Sequence, residues 1–187
     1  MNEVGKNNEE NILSGAVMLN PMFDKTVSYN YMESYAFGFI SRITVKVFKI
    51  KLLEQTHMFP SMEKEYGIDM KDIYSDNCTT THEFIDKFIA KMFGCANAFE
   101  YYEAIKLIDK IQNFKTKTLF ISSKDDVLCG DKPIPKEEVK QNENTYLMVT
   151  RSGSHLAFYN KLFSSKQWFM IPAFRFFNYL HSLENDE

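Results

Sequence analysis

Three short apolar segments, separated by stretches with helical periodicity, constrain the fold of this chain more than any other feature. They cover residues 14–21, 116–126 and 145–151, and the first is apolar on both faces. Strands buried on both faces are typical of parallel sheets, in which helices connect consecutive strands. The order strand, helices, strand, helix, strand, helix therefore predicts an α/β fold with about three parallel strands and crossover helices.

The helical stretches differ in how clearly they are bounded. Residues 81–94 begin at a capping Thr81 and end at Gly94. Residues 33–55 are amphipathic, with a basic side and an apolar stripe that we expect to face the core rather than a lipid surface. The stripe comprises Phe39, Ile40, Ile43, Val47 and Ile50. The other predicted helices are a short one between 60 and 78, then 98–113, 135–142 and 166–183, the last interrupted by Pro172.

Charge and cysteine content exclude several classes of function. The chain has 22 basic and 25 acidic residues, a net charge of −3, so nothing indicates a nucleic-acid partner. Its three cysteines, Cys78, Cys95 and Cys129, form no CxxC pair, which argues against a disulfide framework or a zinc site. The polar first residues and the lack of a long apolar run predict an intracellular protein, cytoplasmic or peripheral to a membrane.

Acid–base residues follow two of the predicted strands. Asp125 and Asp126 come after the second strand and His155 after the third, in the segment Ser-Gly-Ser-His. Because the carboxyl ends of parallel strands meet at one edge of a sheet, these side chains are expected close together. A carboxylate followed by a histidine is the chain order of the last two members of a hydrolase triad. The alternative is a turn-forming Asp pair and a hydrogen-bonded loop histidine.

The region 121–158 carries several motifs in fixed order: Asp125-Asp126, Ile134-Pro135, Lys140-x-Asn142-x-Asn144 and Thr150 through Phe158. With GAVMLNPMFD at 15–24 and EFIDKFIAKMFG at 83–94, they resemble the YheT-like branch of the α/β-hydrolases. That branch includes bacterial esterases, plant embryogenesis-associated proteins and animal membrane-associated phospholipases. The resemblance implies that Asp126 takes the carboxylate role and His155 the base role, and that Asp125 shapes the turn.

The resemblance also implies that the chain consists of three segments. It implies a tail and first remaining core strand at 1–24, a helical cap with return helices at 25–113, and a C-terminal core at 114–187. Residues 25–80 would form the lid. The chain departs from the family at Ser154 and Ala157, where the family has glycine, and it contains no Gly-x-Ser-x-Gly.

Other residues are weak substitutes for the absent serine. Ser154 adjoins the histidine, Cys129 lacks an evident activating group, and Cys95 follows a cap helix. A metal site built from His57, Cys78 and His82 lacks close ligand spacing, and neither a metal nor a cofactor is expected.

The sequence thus predicts a partial serine hydrolase for carboxylic esters or lipids, which carries the Asp and His of the triad and is inactive alone. Its partner would be an N-terminal hydrolase half or another protein, and its substrate an acyl ester or lipid. Membrane association is not specifically indicated. The alternative is a non-catalytic pseudo-hydrolase that docks with a partner chain as a structural or interaction subunit.

Overall fold

A parallel sheet forms the centre of one of two units in this computed structural model, which describes residues 13–159 and 166–185. The sheet unit combines the residues up to Phe23 with those from Leu107 onward, and the helical unit runs from Asp24 to Lys106. The strands are β1 (Gly15–Leu19), β2 (Lys117–Ser123) and β3 (Thr145–Thr150), in the order β1-β2-β3. Both pairings are parallel, which confirms the predicted α/β class with three parallel strands.

The central strand β2 is buried on both faces. Phe120 packs on one face against Phe23 and Phe114, with ring centroids 5.2 and 5.7 Å away. Its neighbours along the strand, Leu119 and Ile121, point to the opposite face, where they pack against the buried ring of Phe158. Successive strand residues alternate between faces, so an unbroken apolar run is what a doubly covered strand requires.

Short helices make up the second unit. Its α-helices are α1 (Lys25–Ser34), α2 (Phe39–Leu53), α3 (Phe59–Tyr66), α4 (Met70–Ile73), α5 (Thr81–Phe84), α6 (Ala90–Met92) and α7 (Ala98–Ala104). A π-helical segment, Ile85–Ile89, joins α5 to α6, and 3₁₀ turns lie at Tyr35–Gly38 and Thr56–Met58. The core of this unit comprises Val45, Met62, Ile68, Met70, Ile73, Cys78, Phe84 and Phe88.

The sheet unit adds a 3₁₀ segment, Ile108–Asn113, and the helices α8 (Lys136–Lys140) and α9 (Met170–Asn185). Pro172 is the third residue of α9 and does not interrupt it, because N–H groups in the first turn have no partner within the helix. The prediction of one continuous helix over 98–113 is wrong, because the chain leaves the helix between Ala104 and Ile108. There the N–H groups of Leu107 and Ile108 both donate to the carbonyl of Phe23. No described helix is long and apolar enough to cross a membrane.

Two helix starts differ from the sequence prediction. The predicted helix 33–55 is interrupted before α2, because Ala36, Phe37 and Gly38 have left-handed backbone with φ of 48°, 57° and 75°. The helix predicted at 81–94 is capped by Thr80 rather than Thr81. Thr80 and Glu83 form a reciprocal capping box, and the predicted stop at Gly94 has a φ of 69°.

The face of α2 that packs inward is not the predicted one. Ser41 and Val45 are buried at 0% and 1% exposure, whereas Val47 on the predicted stripe is 49% exposed. Phe39, Ile43 and Ile50 on that stripe are exposed as well. The hydroxyl of Ser41 lies 2.9 Å from that of Thr81 and accepts the backbone N–H of Thr81 at 2.8 Å. Apolar residues occur on several faces of this helix, so their spacing alone does not select the packed one.

Two valines on α2 give a matched test of this orientation. Val45→Ala is expected to lower the free energy of unfolding by about 1–3 kcal/mol, since it removes two buried methyl groups and leaves a cavity. Val47→Ala is expected to change it by less than about 0.5 kcal/mol, because that side chain is half exposed. Urea unfolding of both variants measures the difference. A larger loss at Val47 would contradict the observed face.

Candidate active site

The ends of β2 and β3 bring the predicted acid and base together. Asp126 lies just beyond β2 and His155 lies in the loop after β3. His155 Nδ1 is 2.8 Å from Asp126 Oδ2, across 29 residues of sequence. The contact that the sequence predicts is therefore present, and the catalytic roles of the two residues stay a prediction.

Asp126 is held as an ionised carboxylate. Its side chain is fully buried, and its Oδ1 accepts hydrogen bonds from the backbone N–H groups of Leu128 at 2.8 Å and Cys129 at 3.1 Å. Burial alone would raise the pKa of this carboxyl. The hydrogen bond from His155 and the two backbone N–H groups outweigh burial and hold the pKa below its ordinary value.

The ionised state of Asp126 fixes the tautomer of His155. A carboxylate only accepts hydrogen bonds, so the proton between the two groups belongs to Nδ1. The other ring nitrogen, Nε2, is then the one that can accept a proton. The His155 side chain is 29% exposed, whereas its partner is fully buried. The protein thus fixes the ring through Nδ1 and leaves Nε2 as the nitrogen that can accept a proton.

Asp125 supports the histidine loop rather than the ring. Its Oδ1 accepts hydrogen bonds from the backbone N–H groups of Gly153 at 3.0 Å and Ser154 at 2.8 Å. This geometry fits the turn-shaping role that the family resemblance implies. The two adjacent aspartates therefore make different contacts: one with the ring of His155 and one with the backbone before it.

Asn20 and Ser123 also hold this loop, and the sequence did not reveal their part. The side-chain amide of Asn20 donates to the carbonyls of Ser154 and His155 at 2.6 and 2.5 Å, and its oxygen accepts the N–H of Ser123 at 2.7 Å. The Ser123 hydroxyl donates to the Ser154 carbonyl at 2.5 Å. The Asn-Pro after β1 was the available signal, because it belongs to the motif that resembles the family.

The two departures from the family glycines differ in their backbone consequences. Ser154 has a φ of 51°, in the left-handed region that favours glycine, whereas Ala157 has no positive φ. Gly153 is required for a separate reason. A Cβ there would lie 2.5 Å from a ring carbon of Phe158, whose backbone N–H donates to the Gly153 carbonyl. Phe158 itself has a φ of 42°, so the loop has two non-glycine residues, Ser154 and Phe158, in the left-handed region.

A thiol lies beside the Asp126–His155 pair. Cys129 Sγ is 3.7 Å from His155 Nδ1 and 3.6 Å from the carbonyl oxygen of Asn20. It faces the ring nitrogen already bonded to Asp126, so it is badly placed as a nucleophile that uses Nε2. Asp126, Cys129 and His155 are the one described group whose ligand atoms could meet at a metal ion. The set His57, Cys78 and His82 is not brought together in this way.

The left-handed backbone at Ser154 leads to a stability prediction. Ser154→Gly is expected to raise the free energy of unfolding by about 0.5–1 kcal/mol, because glycine adopts this φ without the penalty of a Cβ. Ser154 bonds Asn20, Ser123 and Asp125 through its backbone, and these hydrogen bonds are retained. Ser152→Gly in the same loop is the control, since Ser152 has no positive φ, and it is expected to give no gain. Urea unfolding compares them; equal effects would contradict the assignment of strain.

Comparison with known proteins points to lipid and ester hydrolases. The chain is 27% identical to a monoacylglycerol lipase of Saccharomyces cerevisiae over 183 residues, which cover 96% of this chain and 40% of that protein. It is 27% identical to the human phospholipase ABHD3 over 63% of this chain and 29% of that protein. It is 28% identical to the embryogenesis-associated protein EMB8 of Picea glauca, over 77% of this chain and 31% of that protein.

These matches have a defined extent. The chain spans 40% or less of the length of the three relatives, so the activity of a whole relative is not thereby established for it. No family model and no solved structure matches the chain. The hydrolase names of two of these relatives and the parallel sheet of the structure nevertheless indicate the same fold class. Together they support membership of the α/β-hydrolase superfamily over the region matched.

Proposed function

We propose that this chain contributes the acid and base of a Ser-His-Asp triad that hydrolyses carboxylic esters of lipids. The observation that carries the proposal is the 2.8 Å contact between His155 Nδ1 and Asp126 Oδ2, made while both oxygens of Asp126 are engaged. The relatives named lipase and phospholipase support the substrate class. The attacking serine would come from residues outside these 187, on a longer form of the chain or on a partner.

In this scheme the serine hydroxyl attacks the acyl carbonyl while Nε2 of His155 removes its proton. The imidazolium that forms is stabilised by the carboxylate of Asp126, which remains ionised. The imidazolium then protonates the departing alcohol, and the acyl group stays on the serine. Water attacks this acyl ester in a second step, and Nε2 again takes and returns a proton. No cofactor takes part in these steps.

The network around the loop serves this chemistry by fixing the ring. Asn20 donates to the backbone carbonyl of His155, and Ser123 donates to that of Ser154. Asp125 accepts the backbone N–H groups of the two residues before His155. A base has to lie within hydrogen-bond reach of the proton it removes, so a small displacement of the ring would slow the reaction. The lid assignment of residues 25–80 and any membrane contact stay predictions.

A chimera tests the proposal directly. The chain replaces the matching segment of the yeast monoacylglycerol lipase, and hydrolysis of a monoacylglycerol and of a short-chain aryl ester is measured. We expect activity. We also expect kcat to fall about 10⁴-fold with Asp126→Asn, which removes the charge that fixes the tautomer, and by at least about 10³-fold with His155→Ala. Asp131→Asn is the control, because Asp131 is exposed and lies in the same loop region.

Two results would contradict the proposal. One is an active chimera that is indifferent to His155→Ala. The other is ester turnover by the isolated chain that His155→Ala abolishes, which would place the nucleophile within these 187 residues. A folded but inactive chimera would favour the non-catalytic alternative, a pseudo-hydrolase that acts by docking to a partner chain.

A further inference from the structure

Three side chains of types that commonly bind zinc meet beside the loop of His155. Asp126 Oδ2 lies 2.8 Å from His155 Nδ1, and Cys129 Sγ lies 3.7 Å from the same nitrogen. All three donor atoms lie within 4.8 Å of one another. Asp126 and Cys129 are 0% and 5% exposed, so two of the donors are fixed within the protein interior.

We propose that Asp126, Cys129 and His155 bind a thiophilic divalent cation of the zinc type, and that this cation switches off the base. Carboxylate, thiolate and imidazole are ordinary zinc ligands, with Zn–S near 2.3 Å and Zn–N near 2.0–2.1 Å. Those bond lengths place sulphur and nitrogen about 3.5 Å apart in a tetrahedral site, close to the observed 3.7 Å.

The remaining geometry needs a small adjustment. The oxygen and nitrogen stand 2.8 Å apart, and in a tetrahedral site they would separate by roughly half an ångström. Asp126 Oδ1 keeps its two backbone N–H donors, so Oδ2 is the oxygen available to the cation. The side chain of His155 is 29% exposed, so its ring can move to widen the gap.

Binding would rearrange protons without any redox change. The thiol of Cys129 releases its proton to solvent and binds as thiolate. Nδ1 of His155 gives up its proton and coordinates, so the neutral ring carries its proton on Nε2 instead. The two negative ligands balance the two positive charges of the cation. Nε2 can then no longer accept a proton, and the acid–base pair is blocked.

Cobalt binding to the full chain tests the site without any assay of activity. Co²⁺ is titrated into the protein, and the near-ultraviolet thiolate-to-cobalt absorption band is followed. We expect one Co²⁺ per chain, displaced by Zn²⁺. Cys129→Ser, which changes one atom, is expected to abolish the band and weaken binding at least tenfold, and His155→Ala is expected to weaken it as well.

Cys95→Ser is the matched control, since this thiol belongs to the helical unit and lies outside the site. It is expected to leave the band unchanged. A wild-type protein that shows no band, or a band that survives Cys129→Ser, would overturn the proposal. Either result is independent of the triad proposal, because that proposal is tested by turnover in the chimera and requires no metal.

Discussion

Parallel pairing of three strands is the constraint on which the candidate site depends. In a parallel sheet the carboxyl ends of all strands lie at one edge, so the loops after β1, β2 and β3 meet there. Asn20, Asp126 and His155 come one from each of these loops. Asp126 and His155 lie 106 and 135 residues after Asn20 along the chain. The three residues form one hydrogen-bonded network because the strands run in register. If one strand slipped or reversed, its residue would leave the site.

Burial gives the network its chemical character. In water, a carboxylate and an imidazole interact weakly. Here the carboxylate is removed from solvent, and its lost hydration is replaced by two backbone N–H groups and by the ring of His155. The same arrangement that keeps Asp126 ionised also orients the ring, so the charge of the carboxylate and the position of the imidazole depend on the same contacts. Cys129 takes part twice, since its backbone N–H supports the carboxylate and its thiol faces the ring.

Local patterns predicted the sheet and the meeting of the Asp125-Asp126 pair with His155, and the family resemblance selected Asp126 from the pair. Apolar runs identify the strands, and polar residues after each run locate the edge. Other features depend on distant partners and left no local pattern. Asn20 meets the histidine loop across 135 residues; the Asn-Pro after β1 marks its position through the family motif, but no local pattern indicates which residues it contacts. The prediction of the packed face of α2 was wrong because the apolar residues of this helix occur on several faces. The hydroxyl contact between Ser41 and Thr81 helps to select the face that packs.

The tautomer of His155 shows directly whether Asp126 orients the base. Long-range ¹H–¹⁵N NMR of the uniformly labelled chain distinguishes the two ring nitrogens, and His155→Gln identifies the signals among the four histidines. We expect neutral His155 to carry its proton on Nδ1, facing Asp126, and to have an unprotonated Nε2. A neutral ring with its proton on Nε2 in the metal-free protein would contradict this expectation, because Asp126 would then not orient the base.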